Sequence, residues 1–314
     1  MSAHNIALLM PGQGSQFVGM GRDLADAQPR AAEAFEQAND VLGIDLRRIC
    51  WEGPDEELTR TENAQPAILL HSYAVWICLP EPVRQAVGIA AGHSLGEYSA
   101  LAAAGTFSIA DAARLLRTRG DAMQKATPVG TGAMAALLGL DYEAAAKVAA
   151  EAAQGDVCQA ANDNAPGQVV VSGSKAAVER AVEIAKTHGA KRAMLLPVSA
   201  PFHCALMQPA ADVMAESLAG VTMNDPAVPL IANVEAGPVS DAATIRENLV
   251  KQVTGTVRWR ECVEWMAANG VTVMVELGAG KVLTGMARRM APDANCMATA
   301  SVADLEAVAA ALKA

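Results

Sequence analysis

The sequence predicts an α/β fold, with a hydrolase-like core on a mostly parallel sheet and a small inserted domain of ferredoxin-like order. Three observations support this prediction. Hydrophobic residues make up 52% of the 314 residues but aromatic residues only 4%, which suits Ala-, Val- and Leu-rich helices packed on a buried sheet. Apolar runs alternate with helical patterns along most of the chain. Between residues 128 and 197, that alternation changes to the order β-α-β-β-α-β.

The length of the chain favours two packing units, because a single ordinary core needs fewer residues. We expect a main domain formed by residues 1–127 and 198–314 and an inserted subdomain formed by residues 128–197. The residues Thr127–Gly130 and Pro197 are the expected joints between them.

In the first part of the main domain, continuous apolar runs predict buried strands and apolar residues at helical spacing predict helices. A polar, broken stretch at 45–58 separates two of these helices, and Pro66 is expected in the first turn of the second. The predicted elements are a strand over 6–10, helices over 30–42 and 61–79, a strand over 86–90, and helices over 95–104 and from 108 onward.

The inserted domain and the rest of the chain follow the same logic. The insert is predicted to hold strands over 133–138, 157–161, 168–172 and 192–196, with helices over 141–153 and 174–188. A proline-rich loop at 197–204 returns the chain to the main domain. The remaining predicted elements are strands over 230–233 and 271–277, and helices over 205–218, 242–253, 259–269, 282–290 and 303–313.

A Gly-x-Ser-x-Gly motif, Gly92–Gly96, joins the strand over 86–90 to the following helix. A serine at such a turn is held above the edge of the sheet. Side chains at Gly92 or Gly96 would crowd the turn, and the helix N-terminus supplies free N–H groups where an oxyanion would form. The motif therefore predicts that Ser94 is a nucleophile, although a plain glycine-rich turn remains the alternative on the motif alone.

A serine nucleophile needs a general base, and elimination among the five histidines favours His203. His203 lies on the proline-rich loop that rejoins the main domain. The others have simpler explanations, as a terminal, a packed, an elbow-flanking and a helix-ending residue: His4, His71, His93 and His188. Cys204 is a rival nucleophile, but we expect it to begin a helix beside the base. No carboxylate fits the chain order of a hydrolase triad, so we expect a Ser–His dyad oriented by a backbone carbonyl.

Composition excludes several classes of function. A net charge of −10 argues against a nucleic-acid partner. The six cysteines are scattered without a C-x-x-C pair, which argues against a metal or redox centre and favours a reduced, cytoplasmic protein. The first residues lack a basic and apolar pattern, so we expect no signal peptide, and the longest apolar stretch, 67–79, is too short to span a bilayer.

Five motifs occur together and in order: Pro11-Gly12-Gln13-Gly14-Ser15-Gln16, Gly92-His93-Ser94-Leu95-Gly96-Glu97-Tyr98, Arg119-Gly120, Pro166-Gly167-Gln168-Val169-Val170 and Pro197-Val198-Ser199-Ala200-Pro201-Phe202-His203. This set resembles the malonyl-CoA:acyl carrier protein transacylases of bacterial type II fatty acid synthesis, over nearly the whole chain. The resemblance implies transfer of a malonyl group from malonyl-CoA to acyl carrier protein, by a monomer without a cofactor or metal.

The same resemblance implies the roles of individual residues. Ser94 would attack the thioester and His203 would take and return its proton. The backbone N–H groups of Gln13 and Leu95 would form the oxyanion hole, and Arg119 would bind the malonyl carboxylate. Further family positions are a site-lining residue, Asn162, and two residues near the histidine, Asn233 and Gln252.

One departure from the family and two basic clusters complete the hypothesis. Phe202 replaces a small residue that some members carry before the histidine, which predicts a narrower acyl pocket. Because carrier proteins are acidic, we expect a local basic docking patch. The candidates are Lys191 and Arg192, near Lys186, and the pair Arg288 and Arg289, with a solvated helix end as the alternative.

Other functions remain open at this stage. They are a serine acyl hydrolase or thioesterase, a non-catalytic carrier-binding module, and an acyltransferase of a polyketide or malonate-degrading system. A buried Arg119 would count against a general esterase, because a guanidinium is unfavourable beside a neutral acyl chain.

Overall fold

The computed structural model describes residues 5–312, which form two separate β-sheets with helices packed around them. Residues 1–4 and 313–314 lie outside this range, and with them His4 and Lys313, the last residue of the final predicted helix. Within the described range, no helix is both long enough and apolar enough to cross a membrane.

The helices and strands are numbered in chain order. The strands are β1 (Ile6–Met10), β2 (Val87–Gly92), β3 (Gly132–Leu138), β4 (Cys158–Ala165), β5 (Gln168–Ser174), β6 (Arg192–Leu195), β7 (Leu230–Ala232), β8 (Gly237–Val239), β9 (Val273–Leu277) and β10 (Asn295–Thr299). The α-helices are α1 (Arg22–Ala27), α2 (Pro29–Leu42), α3 (Leu46–Glu52), α4 (Asp55–Thr59), α5 (Thr61–Cys78), α6 (Glu81–Gln85), α7 (Gly96–Ala103), α8 (Ile109–Lys125), α9 (Tyr142–Ala153), α10 (Lys175–Thr187), α11 (Gln208–Ala219), α12 (Ala242–Thr254), α13 (Trp259–Ala268), α14 (Val282–Met290) and α15 (Val302–Ala311).

The larger sheet has the strand order β10-β9-β1-β2-β7-β8. Its neighbouring strands are parallel except for the pair β7 and β8. Strands β1 and β9 are buried along their whole length, as expected for parallel strands covered on both faces. The mostly parallel core that the sequence predicts is therefore confirmed.

Several short elements of this domain are absent from the sequence prediction. The stretch at 45–58, predicted to be broken, contains α3 and α4, while α1, α6, β8 and β10 have no predicted counterpart. The four helices are only five to seven residues long, so none presents two full turns of apolar periodicity. Helices α1, α3 and α4 pack against the long helices α2 or α5, contacts that the local pattern does not encode.

The smaller sheet is antiparallel throughout, with the strand order β4-β5-β3-β6. Helices α9 and α10 pack against it and enclose a hydrophobic core that is distinct from the core of the main domain. The observed order β3-α9-β4-β5-α10-β6 confirms the ferredoxin-like insert. Its strands lie within the predicted segment 128–197, and we propose those boundaries for the subdomain.

Strand β4 is longer than the predicted segment 157–161, because it continues through the polar residues Asn162, Asp163 and Asn164. Asparagine and aspartate are depleted in strands, so local propensity argues against this extension. Its outer edge is not exposed to solvent here but forms hydrogen bonds with the main domain. The Asp163 N–H donates to the Val257 carbonyl at 2.9 Å, and the Val257 N–H donates to the Ala161 carbonyl at 2.9 Å. The two domains are therefore joined by strand pairing at this edge.

Helix α5 begins at Thr61, so Pro66 lies inside the helix, beyond the first turn where the sequence places it. Proline donates no hydrogen bond, which leaves the carbonyl of Glu62 without its usual helical donor. Arg117, on the adjacent helix α8, donates to that carbonyl at 3.2 Å. Arg117 therefore compensates for the proline.

Helix α7 meets the sheet through backbone contacts at the Gly-x-Ser-x-Gly motif. A Cβ atom at Gly92 would lie 2.0 Å from the carbonyl carbon and oxygen of Gly96, and one at Gly96 would lie 2.2 Å from the carbonyl oxygen of Met10. Real Cβ atoms do not approach backbone atoms so closely, so glycine is required at both positions. The turn from β2 into α7 depends on this approach.

We predict that Gly92→Ala destabilises the protein by about 3 kcal/mol or more, because backbone atoms on both sides of the new methyl group must move. The matched control is Gly285→Ala, in α14, where a Cβ would meet no atom within 4 Å. That change should stabilise the helix slightly, since alanine has about 1 kcal/mol better helix propensity. Chemical unfolding of both variants measures the difference, and equal midpoints would contradict the prediction.

Candidate active site

Three neighbouring parallel strands, β1, β2 and β7, deliver polar residues to one edge of the large sheet. Gln13 follows β1, Ser94 follows β2, and Asn233 follows β7. Ligands bind at the carboxyl edge of parallel sheets for this reason. The edge forms one wall of a cavity of about 840 Å³, which the inserted domain closes from the other side with Asn162 and Val170.

Ser94 stands at the tip of the elbow with a backbone φ of 53°, in the left-handed region that strains a non-glycine residue. Asn233 holds this geometry. Its side-chain oxygen accepts from the Ser94 N–H at 2.8 Å, and its amide nitrogen donates to the Gly92 carbonyl at 2.7 Å. The sequence places Asn233 beside the histidine, whereas its hydrogen bonds go to the elbow.

His203 completes a dyad with Ser94. The Ser94 Oγ lies 2.8 Å from His203 Nε2, and His203 Nδ1 lies 2.8 Å from the backbone carbonyl of Gln252. A carbonyl oxygen only accepts hydrogen bonds, so Nδ1 carries the proton and Nε2 is free to accept from the serine. Gln252 thus orients the imidazole through its main chain.

The electrostatic surroundings keep His203 neutral. Burial, followed by the nearby Arg119 guanidinium, lowers the pKa of His203 to about 3. Both effects disfavour the imidazolium. A neutral imidazole is the form that can accept the Ser94 proton, so the resting site has the correct protonation state over a wide range of pH.

Gln13 and Leu95, whose backbone N–H groups are the expected oxyanion donors, lie beside the same cavity as Ser94. Both residues line the cavity, and neither N–H donates to a backbone carbonyl within residues 5–312. Leu95 lies immediately before the first residue of α7, where the N–H groups of a helix lack internal partners. The two groups are therefore available to an oxyanion formed beside Ser94.

Arg119 is a buried cation that faces the nucleophile. Its side chain is 1% exposed and lines the cavity. Its guanidinium donates to three uncharged groups, the side-chain oxygens of Gln65 at 2.9 Å, Gln252 at 2.8 Å and Ser94 at 3.1 Å. The guanidinium also lies 5.7 Å from the centre of the Tyr98 ring.

Among residues 5–312, Arg119 forms no ion pair. Burial lowers the pKa of Arg119, yet arginine keeps its charge in proteins. A buried charge without a counter-ion is unfavourable. The cavity is therefore suited to a ligand that brings an anionic group close to Ser94.

The remaining predicted pocket residues line the same cavity. Phe202 and Asn162 are both buried and form part of its wall, together with Met123, Met134 and Leu196. Asn164, absent from the sequence prediction, accepts through its side-chain oxygen from His93 Nε2 across the domain boundary at 2.8 Å. The Gly-His-Ser stretch gives no signal for this contact, because the two residues are 71 positions apart.

Among the residues that the structure describes, the other histidines and Cys204 lie outside the cavity lining or have partners of their own. His71 is buried, and its Nε2 lies 2.8 Å from the Ala300 carbonyl, while His188 pairs with Glu151 on the surface. The Cys204 thiol donates to the Pro201 carbonyl at 3.2 Å, and burial raises its pKa. A neutral, hydrogen-bonded thiol is a weak nucleophile.

The basic clusters differ in whether their side chains already have hydrogen-bond or ion-pair partners. Arg288 donates to the Cys296 carbonyl at 3.0 Å, and Arg289 donates to the Pro166 carbonyl at 2.7 Å, which ties α14 to the inserted domain. Lys186 pairs with Glu183 at 2.6 Å. Lys191 and Arg192 are exposed at the start of β6.

The sequence profile of the acyl transferase domain matches residues 8–306 of the chain. The chain belongs to this acyl transferase family. The malonyl CoA-acyl carrier protein transacylase of Escherichia coli (strain K12) is 48% identical over 307 residues, covering 98% of each chain. The enzyme of the same name from Bacillus subtilis (strain 168) is 47% identical over 290 residues, covering 91% of this chain and 90% of that one.

Solved structures of acyltransferases share the fold. An acyl-carrier-protein-S-malonyltransferase from Bartonella henselae is 51% identical, with a TM-score of 0.95, and the match covers 99% of this chain and 100% of that one. A malonyl-transacylase in complex with a type II PKS acyl-carrier protein is 44% identical, with a TM-score of 0.92 over 99% and 100% of the two chains. Like them, this protein is an acyltransferase.

We predict that the reactivity of Ser94 does not titrate near pH 6.5, where an ordinary histidine loses its proton. Because the pKa of His203 is lowered to about 3, the base stays neutral as the pH falls from 8 to about 5. The measurement is kcat/KM for an activated aryl acetate, an uncharged acyl donor, with Ser94→Ala as the background.

The unfolded chain binds a proton at this histidine below pH 6.5, so stability also falls as the pH decreases through that window. Circular dichroism at each pH therefore restricts the comparison to folded protein. An inflection near 6.5 in folded protein would contradict the prediction.

Proposed function

We propose that the protein transfers a malonyl group from malonyl-CoA to the phosphopantetheine thiol of acyl carrier protein, through a malonyl-serine intermediate, in fatty acid synthesis. The observation that carries this proposal is Arg119, a buried guanidinium without a counter-ion that lies 3.1 Å from the nucleophilic oxygen. A malonyl thioester places a carboxylate close to its reacting carbonyl, which fits a cation at this distance. The names of the relatives agree with this substrate.

In the first half-reaction, Ser94 Oγ attacks the thioester carbonyl and its proton passes to His203 Nε2, 2.8 Å away. The carbonyl oxygen becomes an oxyanion that accepts hydrogen bonds from the Gln13 and Leu95 N–H groups. The C–S bond then breaks, and the imidazolium protonates the departing coenzyme A thiolate. Malonyl-Ser94 and neutral His203 remain.

The second half-reaction runs the same steps with the carrier thiol as the nucleophile. The thiol gives its proton to His203 and attacks the malonyl ester. The C–O bond to Ser94 breaks, and His203 returns the proton to the serine oxygen. Because one base serves both directions, the enzyme alternates between a free and a malonyl form.

Arg119 is assigned to the malonyl carboxylate. Its planar guanidinium can bind a carboxylate through two parallel hydrogen bonds. An uncharged acyl chain at the same place would leave the guanidinium buried without an anion in direct contact, which counts against a general esterase or thioesterase. We assign Phe202, in the same wall, to limiting the size of the acyl group.

The chemistry sets the remaining expectations. A nucleophile, a base and oxyanion donors suffice for both half-reactions, so we propose that the protein needs no cofactor or metal of its own. We propose that it acts as a monomer in the cytoplasm. For docking of the acidic carrier we favour Lys191 and Arg192, because Arg288 and Arg289 already donate to backbone carbonyls.

The proposed intermediate predicts that intact-protein mass spectrometry after incubation with malonyl-CoA shows one malonyl adduct, located on Ser94. Ser94→Ala should fold normally and carry no adduct, since its hydroxyl contacts only the side chains of His203 and Arg119. Cys204→Ala is the matched control and should keep the adduct. An adduct that persists on Ser94→Ala, or that maps to Cys204, would refute the assignment.

The assignment of Arg119 predicts a change in acyl selectivity. Arg119→Ala should lower kcat/KM for malonyl-CoA by about tenfold or more, since a buried hydrogen bond to a charged group contributes roughly 1.5–3 kcal/mol. Acylation by acetyl-CoA should be retained or should increase. The matched control is Arg114→Ala, on the exposed face of the same helix. Equal losses with both donors would make Arg119 a structural residue.

A further inference from the structure

Glu97 is a buried carboxylate that the mechanism above does not use. It is the second residue of α7, three positions after the nucleophile, and only 1% of it is exposed. One oxygen accepts from the Asn233 backbone N–H at 3.3 Å, and the other accepts from the side-chain amide of Gln252. Burial raises its pKa to about 7, against the opposing effect of these hydrogen bonds and of Arg119.

The Gln252 side chain connects Glu97 with Arg119. Its nitrogen donates to Glu97 and lies 3.0 Å from the Ser94 carbonyl, while its oxygen accepts from the Arg119 guanidinium at 2.8 Å. A carboxylate only accepts and a guanidinium only donates. The amide therefore has one orientation that satisfies both neighbours, and the carboxylate favours it together with the Ser94 carbonyl.

This arrangement leaves the Arg119 guanidinium accessible to the substrate carboxylate. A carboxylate in direct contact with Arg119 would compensate its charge but would compete with the malonyl carboxylate for the same N–H groups. With one amide between them, the ionised form of Glu97, which predominates above about pH 7, supports the buried guanidinium without occupying its cavity face.

We propose that Glu97 is a positioning residue for acyl selectivity: through the Gln252 side chain it fixes the orientation of Arg119 toward the carboxylate of the acyl group. The inference rests on the proposed function. It assigns no contact between Glu97 and substrate, and it leaves the orientation of His203 to the backbone of Gln252.

The test is Glu97→Gln, which keeps the shape of the side chain and removes its charge. We expect kcat/KM for acylation of Ser94 by malonyl-CoA to fall about tenfold or more, because either amide can now rotate and present a donor to Arg119. Acylation by acetyl-CoA should change by less than about threefold, since the dyad and the oxyanion donors are untouched.

The matched control is Glu276→Gln. Glu276 is also fully buried, and it accepts from the Thr284 N–H and hydroxyl at 2.7 Å, at the start of α14. Removing this charge should lower the melting temperature and leave the malonyl-to-acetyl ratio unchanged. A general response to loss of a buried carboxylate would instead move the ratio in both variants, and would overturn the proposal.

A double-mutant cycle with Arg119→Ala tests the route of the effect. If Glu97 acts through Arg119, Glu97→Gln leaves the malonyl-to-acetyl ratio of the Arg119→Ala protein unchanged. An unchanged ratio in the Glu97→Gln single variant, or an additive loss in the double variant, overturns the proposal. The malonyl adduct on Ser94 of the wild-type protein tests the proposed function alone. If that adduct forms but the ratios do not behave as expected, only the role of Glu97 is overturned.

If Glu97→Gln does not fold, Glu97→Asp is the variant to measure, because aspartate retains the carboxylate charge. Its malonyl-to-acetyl ratio should stay within about threefold of wild type, even where both rates fall. A folded Glu97→Asp whose ratio drops as far as that of Arg119→Ala would overturn the role of the charge.

Discussion

The backbone contact between β2 and α7 is the constraint on which the rest of the site depends. Without side chains at Gly92 and Gly96, the helix approaches the sheet until main-chain atoms touch. Ser94 is thereby forced into a left-handed conformation at the tip of the turn. The same approach places the N-terminus of α7 beneath Ser94, so one packing contact supplies the position of the serine and of one proposed oxyanion donor, the Leu95 N–H.

The second requirement is that residues from distant parts of the chain meet at this turn. The Gln252 side chain and main chain together contact Glu97, Ser94, Arg119 and His203. Strand pairing between β4 and Val257 holds the inserted domain against the same region of the main domain. The cavity therefore has a wall from each domain, and its shape depends on a joint built from backbone hydrogen bonds.

Much of this could be predicted from the sequence, because the signals are local. The apolar run of β1, the glycines around Ser94 and the prolines before His203 each restrict the backbone within a few residues. Gln65, Asn164 and the inward direction of Glu97 could not be predicted in this way. Their partners lie 54, 71 and 155 positions away, and a polar residue in the first turn of a helix ordinarily faces solvent.

The use of a main-chain carbonyl to orient His203 has a consequence for inherited variation. In a triad, one substitution of the carboxylate removes the group that holds the histidine. Here every amino acid at position 252 carries the same carbonyl oxygen, so no codon change there deletes the acceptor itself. The hydrogen bond that sets the catalytic tautomer thus does not depend on the identity of the side chain at that position, and the side chain of Gln252 serves Arg119 and Glu97 instead.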